Sequence, residues 1–320
     1  AQRVMTGAPV PPDAEVVLPF EWIDDGGASA TVARLPSRRT NIVEPGAHVR
    51  AGDVIARRGT CLAPADLGAL ASAGCAQVAV AARPRVAVLG TGSELVDIAD
   101  APGPGRIRNS NNAALCGQAR RAGAAPEDLG FVVDDEARLR AAIREGLEAD
   151  VLVLSGGVSQ GDLDLVPGAL EAEGVTCAFH RWAVQPGGPL WFGARGDTLV
   201  FGLPGNPAAT FVGFEVLVVP ALRARVGLAV EPRRTLTARY EGPWGKPGPR
   251  RRYRPVRLRS DDAGALRAEA VPWKGSGDPF GLAAGDALVV LPEDRPEPEP
   301  GPALLPVIPT GDGALLWGRP

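Results

Sequence analysis

The chain has 320 residues, 45% of them hydrophobic and 22% charged, with a formal net charge of −3. At about one domain per ~150 residues this is room for two domains and a sizeable core, and the balance excludes a wholly disordered or highly charged tail protein. Near-neutral charge gives no general pull toward nucleic acid or an anionic membrane surface, and no uninterrupted apolar run reaches the ~18 residues of a membrane span. The nearest attempt, 208–219, contains Glu215 and ends at Pro220, so neither nucleic acid nor a membrane is expected as a partner. Ala1-Gln2-Arg3 lacks an initiator Met and an apolar signal core, and reads as the interior of a longer protein.

Residues 1–36 carry short alternating pieces such as Ala14–Leu18, broken by Pro11-Pro12 and Asp25-Gly26-Gly27. They predict short strands, a fragment of an extended β-rich domain. Ala63–Ala73 predicts a helix with Leu67, Leu70 and Ala71 on one face and Gly74 as its stop. From Arg85 the pattern becomes alternating strands and helices. Val86–Leu89 is a buried-strand run, 111–122 a helix, 131–133 a strand, and Asp134 or Asp135 caps a helix carrying Leu139, Ile143 and Leu147. Val151–Leu154, 175–179 and 198–201 are further strands, with a helix at 163–173 between the first two. Residues 207–226 predict a helix apolar nearly all round, buried on both sides. Together these give a mostly parallel α/β sheet with crossover helices, core 84–228 within a domain of 37–228. After Gly227 the helices stop. Five short strands near 235–240, 253–258, 266–271, 287–291 and 304–308 predict a small all-β barrel or sandwich over 229–320, with the Pro/Glu-rich 292–302 as a loop.

Cys61, Cys75, Cys116 and Cys177 form no Cys-x-x-Cys pair, and His48 and His180 are the only histidines. No zinc pattern results, and the expectation is four reduced, mostly buried thiols of a cytoplasmic protein. Chemistry is expected instead at the carboxyl ends of the parallel strands, where such sheets bind ligands. Four polar, Gly-rich turns fall there: Gly90–Glu94, Ser155–Asp164, Gln185–Pro189 and Leu203–Pro207. Glycine lets backbone approach a ligand, and a turn that opens a helix offers free N–H groups and a positive dipole end to an anion. None matches the P-loop or dinucleotide spacing, so a phosphate- or nucleotide-like ligand is expected without either fold. Glu94, Asp162 and Asp164 are the nearby carboxylates. Beside bound phosphate they suit Mg²⁺; equally, Asp162 suits a helix N-cap, Asp164 a cap-region charge and Glu94 a solvated first-turn carboxylate.

The ordered set Met5–Pro11, Thr91-Gly92-Ser93-Glu94-Leu95, Ser155-Gly156-Gly157-Val158-Ser159 and Leu203-Pro204-Gly205-Asn206-Pro207 resembles the MoeA / gephyrin E-domain family of molybdopterin molybdenumtransferases. The likeness continues through Lys246-Pro247-Gly248, Gly275-Ser276-Gly277 and Leu288–Pro292, and so covers essentially the whole chain. It implies a MogA-like α/β domain and a C-terminal barrel in a cytosolic homodimer. Adenylylated molybdopterin is the implied ligand, molybdate replaces its adenylate with Mg²⁺ assistance, and AMP leaves. It also implies a further N-terminal segment that closes the partner subunit's cleft. Carried over by motif, Thr91, Gly92, Ser93, Ser155, Gly156, Gly157, Ser159, Pro186, Pro189, Pro204, Gly205 and Asn206 line the ligand. Asp164 is the catalytic carboxylate and, with Glu94, the metal ligand.

Other positions depart from the pattern. Ser93 stands for an Asp, Pro45–His48 for Arg-Gly-Glu-Asp, and Arg108-Asn109-Ser110-Asn111 for Tyr-Asp-Ser-Asn. Gln185-Pro186-Gly187-Gly188-Pro189 stands for Lys-Pro-Gly-Lys-Pro, losing two amines whose charge-assisted hydrogen bonds are worth roughly 1.5–3 kcal/mol each. Arg106 and Arg108 are the nearby cations that could restore charge. Loss of the acidic groups and amines keeps two alternatives open: a diverged relative acting on another nucleotide-like or phosphorylated small molecule, and a catalytically silent scaffold.

Overall fold

Continuous apolar runs become the central strands. Val86–Leu89 and Val151–Leu154 are buried on both faces, as parallel strands covered by helices must be. The computed structural model describes residues 1–27, 29–34, 40–158, 164–228, 235–294 and 303–311. They divide into two units, residues 1–57 with 62–76 and residues 58–61 with 77–320.

In the smaller unit β1 (Ile23–Asp25) and β2 (Ala30–Val32) form an antiparallel hairpin, and α1 (Pro64–Ser72) ends before Gly74, whose φ of 84° suits the left-handed stop. The expected strand at Ala14–Leu18 does not form. Leu70 is the buried residue of α1, while Leu67, expected on the same face, is 54% exposed.

In chain order the larger unit runs β3 (Arg85–Thr91), β4 (Leu95–Val96), β5 (Ile107–Arg108), α2 (Ser110–Arg121), β6 (Ala125–Val132), α3 (Glu136–Gly146), β7 (Val151–Ser155), α4 (Leu165–Ala172), β8 (Thr176–His180), β9 (Val184–Gln185), β10 (Trp191–Arg195) and β11 (Thr198–Leu203). There follow α5 (Pro207–Gly213), a π-helical turn (Phe214–Val218), α6 (Val219–Arg225), β12 (Leu236–Glu241), β13 (Arg251–Ser260), β14 (Leu266–Ala270), α7 (Pro279–Ala284), β15 (Ala287–Leu291) and β16 (Ala303–Pro309).

The α/β sheet has the order β6-β3-β7-β11-β10-β8. β6, β3, β7 and β11 are mutually parallel, and β10 pairs antiparallel with both β11 and β8. The barrel closes as β14-β12-β16-β15-β13, with β13 pairing back onto β14 and the two-residue β9 joined in parallel to β13. The fold is thus the expected mostly parallel α/β domain followed by a closed β-barrel, behind a small β-rich fragment.

Several details differ from expectation. β10 went unread, β6 begins six residues before the expected 131, and α7 interrupts the all-β region, N-capped by Asp278 accepting from Phe280 and Gly281 N–H. Cys61, Cys75 and Cys177 are exposed, leaving only Cys116 buried, where desolvation pushes its thiol up. The expected loop 292–302 lies mostly outside the described residues.

The stretch Pro207–Arg225 is long and apolar enough to cross a membrane by length and composition, and is half buried in this fold. As expected, it is buried on two sides. Phe214, Val218 and Leu222 pack with the sheet through Val86, Val153 and Leu203, while Val212 joins Tyr253, Leu288 and Ile308 of the barrel. Glu215, which breaks the apolar run in sequence, is fully buried there and accepts from Gln118 Nε2 at 2.8 Å and from Arg121.

At the opposite end of the sheet Asp150 accepts from the Arg85 backbone N–H and from Arg225, each at 2.8 Å, so its carboxyl is held below the ordinary range by the amide first and the guanidinium second. A carboxylate depressed in the folded state contributes stability above its unfolded value of about 4, lost as pH falls through the folded value. Asp150→Asn is expected to cost about 1 kcal/mol at pH 7. In thermal melts the gap between variant and wild type should close as pH drops toward 3; a gap constant with pH would remove the carboxylate from this role.

Candidate functional site

The strand register lines up three of the four turns. Gly90 of β3 pairs with Ser155 of β7, and Ser155 with Leu203 of β11, so the chain leaves three adjacent strands at the same level. At about 4.8 Å between strands, the turns share one rim.

Their atoms interlock there. Gly156 N–H donates to Leu203 O at 3.0 Å, and Asn111 in the first turn of α2 donates to Ser155 Oγ at 2.9 Å and to Gly205 O at 2.8 Å. Gly156 and Gly157, with φ of 104° and 64°, lie against Thr91; a Cβ on Gly156 would stand 2.3 Å from Thr91 O. Here glycine is required first by the protein's own strands and only then by any guest. Thr91 is 6% exposed, and its hydroxyl has no partner among the described residues.

The turn after β3 is tied outward. Gly92 N–H donates to Val132 O, while Ser93 N–H donates to Asp134 Oδ2 and Ser93 Oγ accepts from Asp134 N–H. The exposed Glu94 folds its carboxylate over Gly92, whose φ of 146° would strain an L side chain. Arg106 donates to Ser93 O, whereas Arg108 Nε is spent on Ile98 O at 3.0 Å. Of these two cations, then, only Arg106 is bonded to a rim turn.

The fourth turn packs beside α5. Gln185-Pro186 is a cis peptide, Trp182 Nε1 donates to Gly187 O at 2.6 Å, and a Cβ on Gly187 would meet Ala209 O at 3.3 Å. Pro186 is buried; Pro189 and Pro204 are half-buried, and Gly205 and Asn206 are exposed. Asn206 caps α5 by position without a side-chain cap bond, and one first-turn donor, Ala208 N–H, is taken by Ser276 O at 2.9 Å.

Asp164 is half-buried at the N-cap of α4 and makes no side-chain cap hydrogen bond. Ser159 and Asp162 lie outside the described residues. No group of three His, Cys, Asp or Glu side chains gathers among the described residues. Such a cluster is not needed for Mg²⁺, which takes one or two carboxylates and completes its shell with substrate phosphate and water. Asp164 and Glu94 are carboxylates of that kind, Asp164 at the N-cap of α4 and Glu94 in the turn after β3.

Sequence reasoning gave no site role to Asn111, which knits two turns together, or to the Ser276 loop of the barrel. Both arrive through tertiary folding. Behind Asn111 a cavity of about 230 Å³ opens between α2, α5 and α7, lined by Gln118, Thr210, Phe211, Leu282 and Asp286 among others.

Comparisons with known proteins agree along the whole chain. Residues 1–74 match the MoeA N-terminal region (domain I and II), 87–224 a probable molybdopterin binding domain and 237–304 the MoeA C-terminal region (domain IV). The chain is 34% identical over 298 residues to a molybdopterin molybdenumtransferase of Bacillus subtilis, covering 91% of this chain and 69% of that protein. It is 35% identical over 314 residues to molybdopterin molybdenumtransferase 2 of Mycobacterium tuberculosis, covering 95% and 76%. Among solved structures, a molybdopterin biosynthesis MoeA protein from Pyrococcus horikoshii superposes with a TM-score of 0.73 at 28% identity, over 94% of this chain and 73% of that one. With motifs, fold and relatives in agreement from end to end, the chain belongs to the MoeA family of molybdenum-cofactor biosynthesis proteins.

Proposed function

We propose that this chain is a molybdopterin molybdenumtransferase that binds adenylylated molybdopterin at the sheet rim, accepts molybdate in place of the adenylate and releases AMP. The observation that carries this reading is the in-register rim, where Gly90, Ser155 and Leu203 bring three Gly-rich turns together under the start of α5.

Backbone N–H groups of Gly157 and of the turn at Gly205 and Asn206 would meet phosphate oxygens, helped by the positive end of α5. Ser155 accepts from Asn111, so its own proton remains to be donated to the ligand. Thr91 would act likewise from the neighbouring strand, and Gly92, Ser93, Pro186, Pro189 and Pro204 shape the walls; Ser159 is assigned with them from the motif alone. Asp164 and Glu94 would hold Mg²⁺, which when bound neutralises phosphate charge beside the bond that breaks. The protein is read as a cytoplasmic homodimer.

Asp164→Ala tests the assignment. Mg²⁺-dependent ligand affinity and AMP release should fall at least about a hundredfold. Unchanged affinity would reduce Asp164 to a helix-end charge.

A second reading rests on one observation: the turn Gln185–Pro189 carries no cationic side chain. A relative turned to another nucleotide-like or phosphorylated substrate would show this, as would a silent scaffold. Rescue of a molybdenumtransferase-deficient strain by the wild-type gene separates the first reading from both of these, since only the transferase restores molybdoenzyme activity.

A further inference from the structure

The strand register puts four residues in one row across the sheet. Leu154 of β7 pairs with Gly202 of β11, Gly202 with Trp191 of β10, and Trp191 with His180 of β8. β10 is antiparallel to both of its neighbours, so β8 runs with β7 and β11, and His180 ends it at the same rim as Ser155. His180 is half-buried, and its Nε2 lies 2.9 Å from Val158 O. A carbonyl only accepts, so Nε2 carries the proton and donates.

The chain leaving β7 lies along that row. Val158 is buried in one cluster with Trp191 and Val166, and a Cβ on Gly202 would stand 2.7 Å from Val158 Cγ1, so glycine in β11 makes the room that the valine fills. At about 4.8 Å per strand, β8 is roughly 14 Å from β7, and the imidazole closes the last of that distance. Gly156 is held separately, by its N–H bond to Leu203 O and its approach to Thr91 O. Gly157, with the freedom of a residue that has no Cβ, is held by what brackets it: Gly156 before it, and after it Val158, pinned by side chain and carbonyl.

We infer that His180 is a positioning residue for ligand binding: by pinning the Val158 carbonyl from the far edge of the sheet, it fixes the direction of the Gly157 N–H. It acts through Val158 and needs no contact with the ligand itself. The inference rests on the transferase reading, which sets a phosphate oxygen against that N–H. An amide aimed beforehand spares the ligand the cost of ordering it, so losing the pin should weaken binding about three- to tenfold. The amide meets the phosphate before and during the reaction alike, so KM should rise with kcat little changed.

Calorimetric titration of the full chain with AMP tests it, beside KM and kcat for AMP release and hydrogen exchange at the Gly156 amide. His180→Leu fills the space without a donor and should weaken AMP about three- to tenfold, raise KM by a like factor and speed Gly156 exchange. His180→Asn, whose shorter amide stops short of Val158 O, should behave the same way. His180→Gln keeps an N–H at similar reach and should stay within about twofold of wild type. Unchanged AMP affinity in His180→Leu and His180→Asn, an equal loss in His180→Gln, or a fall confined to kcat overturns the inference. Failure of the transferase reading looks different: wild type then neither binds AMP nor releases it. Gly156 exchange in that case decides for His180. Exchange faster in His180→Leu and restored in His180→Gln upholds the pin, and equal exchange in both and in wild type removes it.

Discussion

Gly156→Ala is expected to abolish ligand binding at the rim and to lower the melting temperature by roughly 10 °C, a cost of about 3 kcal/mol or more. Two effects add. A φ of 104° is strained for any L side chain, and the new methyl would stand 2.3 Å from Thr91 O and 2.9 Å from Thr91 Oγ1. Backbone is the obstacle, so relief requires β3 and β7 to part at their carboxyl ends. That displaces Thr91, and with it the Gly156–Leu203 hydrogen bond that holds the third turn. Gly117→Ala is the control: Gly117 lies inside α2, and a Cβ there meets nothing within 4 Å. This second change should raise stability by about 0.5–1 kcal/mol and leave activity alone. Ordinary binding by Gly156→Ala in calorimetry would show that the rim does not depend on this close approach.

Glu215→Ala should be the most destabilising single change outside the rim, at about 3–5 kcal/mol. Truncation leaves Arg121, whose side chain is only 18% exposed, without its carboxylate, and takes the acceptor from Gln118 inside the core. Glu215→Gln keeps an acceptor for Gln118 and should cost less. Replacing both Glu215 and Arg121 with apolar residues of similar volume should cost least of all, since a buried pair exchanged whole is often neutral whereas a buried pair broken is not. Denaturant unfolding of the three variants checks the order. If Glu215→Ala costs no more than the double replacement, the pair does not act as a unit.

What could be read from sequence follows how local the physics is. Val86–Leu89 and Val151–Leu154 announce themselves because a strand buried on both faces must be continuously apolar. Asp135 is a helix cap in sequence and in fact, accepting from Arg138 N–H at 2.8 Å. The early part of β6 hid behind Pro126, Glu127 and Asp128, tolerated because β6 is an edge strand, with Asp128 satisfied by Asn112. β10 was masked by Gly193, which is needed because a Cβ there would strike Thr176 O and the Trp191 ring. Leu67 fits a helix face by period but is 54% exposed.

The rim glycines were legible and their reason only half so: Gly156 serves Thr91 before any ligand. Asn111 could not be placed by spacing, because it reaches the rim through the start of α2 rather than from one of the rim turns.

The two-residue seam between β9 and β13 makes the barrel set where the Gln185–Pro189 turn lies. Gln185 is hydrogen-bonded into one architectural module while the turn after it packs beside α5 of the other. A slip of one residue in β13, or a transplanted barrel from a cousin with a different strand offset, would drag that turn away from Ala209 of α5 with no change in the α/β half. Functional chimaeras should therefore tolerate cuts after α6 only when the donor barrel brings a matching seam.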